Sequence, residues 1–276
     1  MSNNAIYALN TSTVRNCDLG LLEKIDLAAQ TGYNGIELWV GEIESYLNNG
    51  GSLDQLQARL QQSGLVVPNL IAFFQWANPD DEKRQAALVE AVAVFELAQA
   101  LDCPYVAAPP AGIADRTDIP LRDIATYYRN LLAATASLPA KPLLEFWGHA
   151  TTLGSLKEAM TVMELVDDPA VLLLTDVFHM AKTPGSTDLL RQLDGARLGL
   201  FHLNDYPAAE DIRQLSDAER VYPGDGVAPL AELMSILREI GYSGMYSLEL
   251  FNKGYEEAGA AQVMQTGLTK MKQLLG

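Results

Sequence analysis

The feature that most constrains this chain is an eightfold alternation of short apolar runs with amphipathic runs. The apolar runs are continuous, which is typical of parallel strands that are buried on both faces. The amphipathic runs have the i, i+3, i+4 spacing of helices that cover a sheet. Strands that alternate with helices over 276 residues predict one α/β domain, 1–276, folded as a closed (β/α)8 (TIM) barrel. A doubly wound open sheet is the alternative.

The ends of these elements follow from glycines, prolines and capping residues. Gly32, Gly64 and Gly241 are expected to end helices, and Asp80 or Asp81 to begin one. The predicted strands are 5–9, 35–40, 66–74, 105–110, 141–148, 171–176, 199–205 and 245–251. The predicted helical segments are 21–30, 53–62, 82–101, 121–138, 156–166, 181–198, 229–240 and 256 onward.

Composition excludes several classes of protein. The net charge of −16 argues against a nucleic-acid partner, because affinity for nucleic acid rests on lysines and arginines that neutralise phosphates. Cys17 and Cys103 are too few for a disulfide framework, and we expect a cytoplasmic protein without a leader peptide or a membrane span. The chain lacks G-x-G-x-x-G after its first strand and lacks G-x-x-x-x-G-K, which argues against a phosphate-binding nucleotide fold.

Charged side chains stand at or near the carboxyl ends of the last four predicted strands. Burying such groups is costly unless they are paired or bound to metal, although a single strand-end glutamate is often only ion-paired or solvated. In a parallel barrel these ends meet at one mouth, where ligands bind. Three carboxylates and one imidazole suit Mn²⁺, Co²⁺, Mg²⁺ or Zn²⁺, with a preference for the harder ions. The four residues are Glu145, Asp176, His202 and Glu249.

Five further residues have both a functional and a structural interpretation. His179 follows Asp176 by three positions and is either a ligand contact or a core histidine. Arg220 precedes a Pro-Gly turn in ERVYPGDG and is either a substrate contact or a loop salt bridge. Glu37 and Trp39 either line the mouth or are a solvated acid and a packing indole. His149 either supports Glu145 or lies on the surface.

The segments GYNGIEL, LLEFWGH, LLTDVFH, FHLND, RVYPGDG and SLELF resemble the xylose-isomerase-like barrels. Within that superfamily the resemblance is greatest to the inosose isomerases of inositol catabolism, and it extends over the whole chain. It implies that one divalent metal, Mn²⁺ first, is bound by the four strand-end residues. It also implies His179 and Arg220 as substrate contacts, and Glu145 and Glu249 as the acid/base pair.

The resemblance implies an isomerase that converts a polyol ketone, first of all 2-keto-myo-inositol, through an enediolate on the metal. A keto-sugar epimerase, a hydroxypyruvate-type isomerase, an inosose dehydratase and a non-catalytic polyol-binding barrel remain as alternatives. Thr151 stands where the 3-epimerases of this superfamily carry a second glutamate, which disfavours a ketohexose 3-epimerase. The high negative charge and three histidines disfavour an endonuclease. The expected partner is a small molecule, and a homo-oligomer is an open possibility.

Overall fold

Eight parallel strands pair in chain order, and β8 closes on β1 to form a barrel. The computed structural model describes residues 6–276, so Ala5, the predicted start of the first strand, lies outside the described residues. The closed topology confirms the predicted (β/α)8 barrel and excludes the open sheet. The strands are β1 (Ile6–Asn10), β2 (Gly35–Trp39), β3 (Leu70–Ile71), β4 (Tyr105–Ala108), β5 (Lys141–Glu145), β6 (Leu172–Asp176), β7 (Leu198–Leu203) and β8 (Met245–Leu248).

Ten α-helices connect and cover these strands within the described residues. The helices are α1 (Leu21–Thr31), α2 (Val40–Asn48), α3 (Leu53–Ser63), α4 (Asp81–Ala100), α5 (Leu121–Thr135), α6 (Leu156–Val166), α7 (Val177–Ala181), α8 (Ser186–Leu190), α9 (Leu230–Glu239) and α10 (Ala260–Leu275). None of the helices in residues 6–276 is long and apolar enough to cross a membrane.

Several element boundaries differ from the prediction. Helix α2 was not predicted, because its first residue, Val40, continues the apolar run of β2. The predicted third strand shrinks to two residues. The Asp80 carboxylate accepts the backbone N–H of Lys83, so Asp80 rather than Asp81 is the cap of α4. The closing helix begins at Ala260, because residues 253–258 form a 3₁₀ segment.

The inside of the barrel carries an apolar layer next to a polar one. Leu143, Leu174 and Leu200 belong to one buried cluster inside the barrel. Side chains two residues apart on a strand share a face, so the next inward position on each of these strands lies toward the carboxyl end. The floor of the mouth is therefore apolar and its walls are polar. The three side chains at these next positions are Glu145, Asp176 and His202.

Candidate active site at the carboxyl ends of the strands

Strand register brings the predicted site residues together. Asp176 and His202 are direct partners in the parallel pairing of β6 with β7. The backbone N–H of Glu249 donates to the carbonyl of Leu203 at 3.1 Å, which extends the pairing of β7 with β8 by one residue. Three metal-competent side chains on consecutive strands therefore point into the same space.

A compact group of possible metal ligands forms in that space. One atom each from Asp176, His202 and Glu249 lies within 4.8 Å of the other two, and all three residues are buried. His202 Nδ1 lies 3.2 Å from Glu249 Oε2 and 3.7 Å from Asp176 Oδ2. Burial opposes the charged imidazolium, but the charges of Glu249 and Glu37 outweigh it and raise the pKa of His202 well above its usual value.

Arg220 is the cation of this group rather than a surface loop residue. It is almost fully buried, and its Nη1 donates to Asp176 Oδ2 and to Glu249 Oε2, both at 2.8 Å. Its Nη2 donates to Asp217 Oδ1 at 2.6 Å and lies 3.3 Å from His179 Nε2. The guanidinium thus shares two carboxylates with the candidate ligand group and also lines the cavity beside it.

The loop that carries Arg220 is built around the carboxylate of Asp205. The backbones of Asp205 and Val221 exchange two hydrogen bonds of 2.9 Å. The Asp205 carboxylate then accepts the N–H groups of Gly224 at 3.0 Å and Gly226 at 3.1 Å. A Cβ on Gly226 would lie 2.1 Å from the carbonyl oxygen of Tyr206, so this close approach requires glycine. The Pro-Gly turn in the sequence indicated a loop of defined conformation, and the hydrogen bonds to Asp205 fix that conformation.

Glu37 does not line the mouth, and the prediction that it is an exposed or substrate-contacting acid is wrong. Its side chain is fully buried next to His202, whose Nε2 lies 3.0 Å from both of its oxygens. Burial opposes ionisation of Glu37, but the charge and hydrogen bond of His202, with donors from Ser247 and Asn69, outweigh burial and lower the pKa. A charged residue inside a strand indicated an unusual position, but the sequence did not indicate that the histidine was its partner.

Glu145 lines the cavity in a different environment and stands outside the group of three. Among the described residues, the only hydrogen-bond donor to its carboxylate is the indole N–H of Trp147 at 3.1 Å. Burial raises the pKa of Glu145 to about 8, opposed by His202 and reinforced by the negative charges of Glu249 and Asp176. The Glu145 carboxyl group therefore lies close to two negative charges, with one hydrogen bond to stabilise its own ionised form.

The cavity above these groups has a volume of about 210 Å³ and an aromatic rim. Trp39 packs against Phe73 at 5.3 Å and against Phe251 at 6.1 Å between ring centroids. Phe73 continues the rim to Trp147 at 6.0 Å. Trp39 thus lies at the mouth, and its contact with a substrate stays a prediction, whereas the other three rings were not singled out in the sequence. The lining of the cavity combines aromatic rings with carboxylates and a guanidinium.

The remaining predicted residues occupy the edge of the cavity. His179 lies in the first turn of α7, and Asp176 Oδ1 accepts its backbone N–H at 2.9 Å. Burial lowers the pKa of His179 to about 3, so the ring is neutral, and its Nδ1 has no hydrogen-bond partner among the described residues. His149 lies exposed on the rim and stacks on Trp147 at 5.5 Å. Thr151 is exposed on the loop after β5.

The donor set fits a divalent cation. His202 Nδ1 is buried without a hydrogen-bond partner among the described residues, although it faces two carboxylates. A buried nitrogen that faces two carboxylates without a well-formed hydrogen bond calls for an explanation, and a metal ion would provide one. One imidazole nitrogen and two carboxylate oxygens are ligands that Zn²⁺ and Mn²⁺ both accept.

The chain is thus a closed parallel barrel with a polar cavity and a group of possible metal ligands at the carboxyl ends of its strands. A family model described as "Xylose isomerase-like TIM barrel" matches residues 25–274, and the chain belongs to that family.

The chain is 29% identical to an inosose isomerase of Halalkalibacterium halodurans, over 92% of this chain and 90% of that protein. It is also 29% identical to an inosose isomerase of Bacillus subtilis, over 92% of each. A crystal structure of an IOLI protein with a bound zinc atom superposes with a TM-score of 0.90 at 26% identity, covering 98% of this chain and 97% of that one.

Proposed function

We propose that this protein is a divalent-metal-dependent isomerase of a polyol ketone, with 2-keto-myo-inositol as the first substrate to test. The observation that carries the proposal is the buried group of Asp176, His202 and Glu249 beside an aromatic-rimmed cavity. The similarity to inosose isomerases and to a zinc-containing structure supports the substrate and the metal. We place Mn²⁺ first among the cations because carboxylates dominate the site.

Four side chains would hold the cation. Asp176, His202 and Glu249 already lie together, and Glu145 on the neighbouring strand would complete the set. A bound divalent cation would polarise a ketone oxygen and stabilise the negative charge that develops on it. His179 and Arg220 line the same cavity and would orient the substrate hydroxyls.

Glu249 and Glu145 are suited to opposite proton-transfer roles. Glu249 directly follows β8 and Glu145 ends β5, three strands apart around the barrel, so they would contact different sides of a substrate. Glu249 accepts hydrogen bonds from Arg220 and Asn10, and we assign it as the base that takes the carbon proton. Glu145 also lines the cavity, and we assign it as the partner that returns a proton.

The destination of the proton determines the reaction. Return to the former carbonyl carbon moves the carbonyl and makes an isomer, whereas return to the same carbon from the other face makes an epimer. Thr151, exposed and without a carboxyl group, disfavours the 3-epimerase alternative. We therefore place isomerisation first and a keto-sugar epimerase second.

Proton exchange in D₂O tests this proposal. The Mn²⁺-loaded protein is incubated with 2-keto-myo-inositol, and in parallel with fructose, psicose and hydroxypyruvate; the protein is removed before proton NMR. Deuterium incorporation together with a new ketone isomer of inosose supports the proposal. Incorporation with a ketohexose alone moves the assignment to the epimerases. Absence of exchange with metal still bound favours a polyol-binding barrel.

The His202→Ala variant is the matched control for the metal. We expect it to lose metal when dialysed beside the wild-type protein, because it removes a nitrogen from the group of three. Full metal occupancy in this variant would contradict the proposed ligand set.

A further inference from the structure

We propose that Glu37 is a positioning residue that fixes which nitrogen of His202 faces the candidate metal site. This inference rests on the metal site of the proposed function. His202 Nε2 lies 3.0 Å from both Glu37 oxygens, while Nδ1 faces Asp176 and Glu249. A carboxylate that accepts the second ring N–H of a ligating histidine orients the ring and raises its basicity.

The surroundings of Glu37 define the hydrogen-bond direction. Three donors besides the histidine converge on its two oxygens. Asn69 Nδ2 donates to Oε1 at 2.8 Å, Asn10 Nδ2 donates to Oε2 at 2.8 Å, and Ser247 Oγ donates to Oε2 at 2.6 Å. We call these residues, with Glu37 itself, the Glu37 cluster. An ionised carboxylate accepts from every side and donates to none, so His202 Nε2 must carry a proton.

A protonated Nε2 leaves Nδ1 as the nitrogen whose lone pair is available in the neutral imidazole. The Glu37 cluster therefore selects the tautomer that can bind a cation among Asp176 and Glu249. Asn10 extends this control, because its Nδ2 also donates to Glu249 Oε1 at 3.1 Å and its Oδ1 accepts the indole N–H of Trp39 at 2.7 Å. One buried amide thus connects the positioning carboxylate, the proposed base and the aromatic rim.

Glu37→Gln is the variant that separates positioning from packing. Glutamine has the same shape, but its NH₂ can donate to Nε2, which stabilises the tautomer with the proton on Nδ1. That proton would occupy the position that a cation needs. We expect the dissociation constant for Zn²⁺, measured by chelator competition, to rise about 10- to 100-fold.

Glu42→Gln is the matched control. Glu42 accepts a hydrogen bond from the buried Lys24 at 2.5 Å and one from Thr11, so it is also a partnered carboxylate, but it contacts none of the candidate ligands. Its Zn²⁺ affinity should match that of the wild type. Equal weakening in both variants, or a Glu37→Gln affinity within twofold of wild type, would overturn the proposed role.

Nitrogen NMR of the Zn²⁺-loaded wild type tests the inference even when Glu37→Gln does not fold. The chain has three histidines, so the His202 signals can be assigned by substituting His149 and His179 in turn. We expect a protonated Nε2 and a zinc-bound Nδ1. A zinc-bound Nε2 would refute the positioning role while leaving the metal site intact. Failure of the wild type to bind Zn²⁺, with His202→Ala no different, would instead refute the metal site itself.

Discussion

Glu37 and Glu145 are two buried glutamates on the inner wall of the same barrel, yet their surroundings are opposite. Glu37 is fully enclosed by three donor side chains and His202, and its pKa is lowered. Glu145 faces the cavity with one indole donor among the described residues, and burial raises its pKa to about 8. The complete set of hydrogen bonds to the Glu37 carboxylate indicates a residue that holds its neighbours in place. The single hydrogen bond to the Glu145 carboxylate indicates a group that is available to a ligand.

The same contrast divides the two sides of His202. Its Nε2 side contacts the Glu37 cluster, where the carboxylate oxygens have partners. Its Nδ1 side faces Asp176 and Glu249 and has no hydrogen bond among the described residues. The imidazole therefore forms the boundary between the hydrogen-bonded Glu37 cluster and the carboxylates of the candidate metal site.

The largest expected effect is on catalysis, on the reactive side of the boundary. Glu249→Gln keeps the shape and loses the proposed base, so kcat should fall about 1000-fold while the circular dichroism spectrum stays unchanged. The measurement is inosose turnover by the Mn²⁺-loaded variant. A kcat within tenfold of wild type would remove Glu249 from the acid/base role.

On the structural side, the largest effect should be on folding. Glu37→Gln replaces a charged acceptor with an amide among neighbours that donate to Glu37 in the wild type, so the free energy of unfolding should fall by about 3 kcal/mol. Denaturant unfolding at pH 7 in EDTA measures it. Glu145→Gln, compared in the same buffer, should not be destabilising. Similar losses in both variants would remove the distinction between the two glutamates.

The pH dependence of stability should reveal Glu145 directly. Its folded-state pKa of about 8 exceeds the usual 4.5, so between these values the native state binds more protons than the unfolded state. In the metal-free protein, the contribution of Glu145 to the free energy of unfolding is therefore present at low pH and is lost as the pH rises toward 8. Glu145→Gln removes this loss, and its stability relative to wild type should rise by about 2 kcal/mol from pH 5 to pH 7. A pH-independent difference would contradict the raised pKa.

The smallest expected effect concerns Arg220. Arg220→Ala removes donors from Asp176 and Glu249 but leaves the ligand atoms in place, so kcat/KM should fall about tenfold. Steady-state kinetics with saturating metal would measure the change. Unchanged kinetics would return Arg220 to the salt-bridge interpretation.

The sequence predicted the strand-end residues because each stands at or near the carboxyl end of an apolar run. Asp176 ends β6 and Glu145 ends β5, and a charge at the end of a buried run is conspicuous. The pairing of β6 with β7, which includes a register shift between Leu173 and Leu174, brings Asp176 beside His202. The strand order follows from the (β/α)8 pattern, whereas the register required the structure.

The Glu37 cluster was not predictable in the same way. Asn10, Asn69 and Ser247 are common polar residues, and what matters is that β1, the residue before β3 and β8 bring them to one carboxylate. A useful signal was present in β1, where Asn10 ends the strand as Glu145 and Asp176 end theirs. Helix α2 was missed for a related reason, because its apolar residues continue the strand before it.

Anomalous diffraction from crystals of the Zn²⁺-loaded protein would show which face of His202 binds the metal. We expect one strong peak about 2.0–2.1 Å from His202 Nδ1, in contact with Asp176 and Glu249, with Glu37 still bound to Nε2. A peak on the Nε2 side of the ring, or no peak within bonding distance of His202, would contradict this expectation.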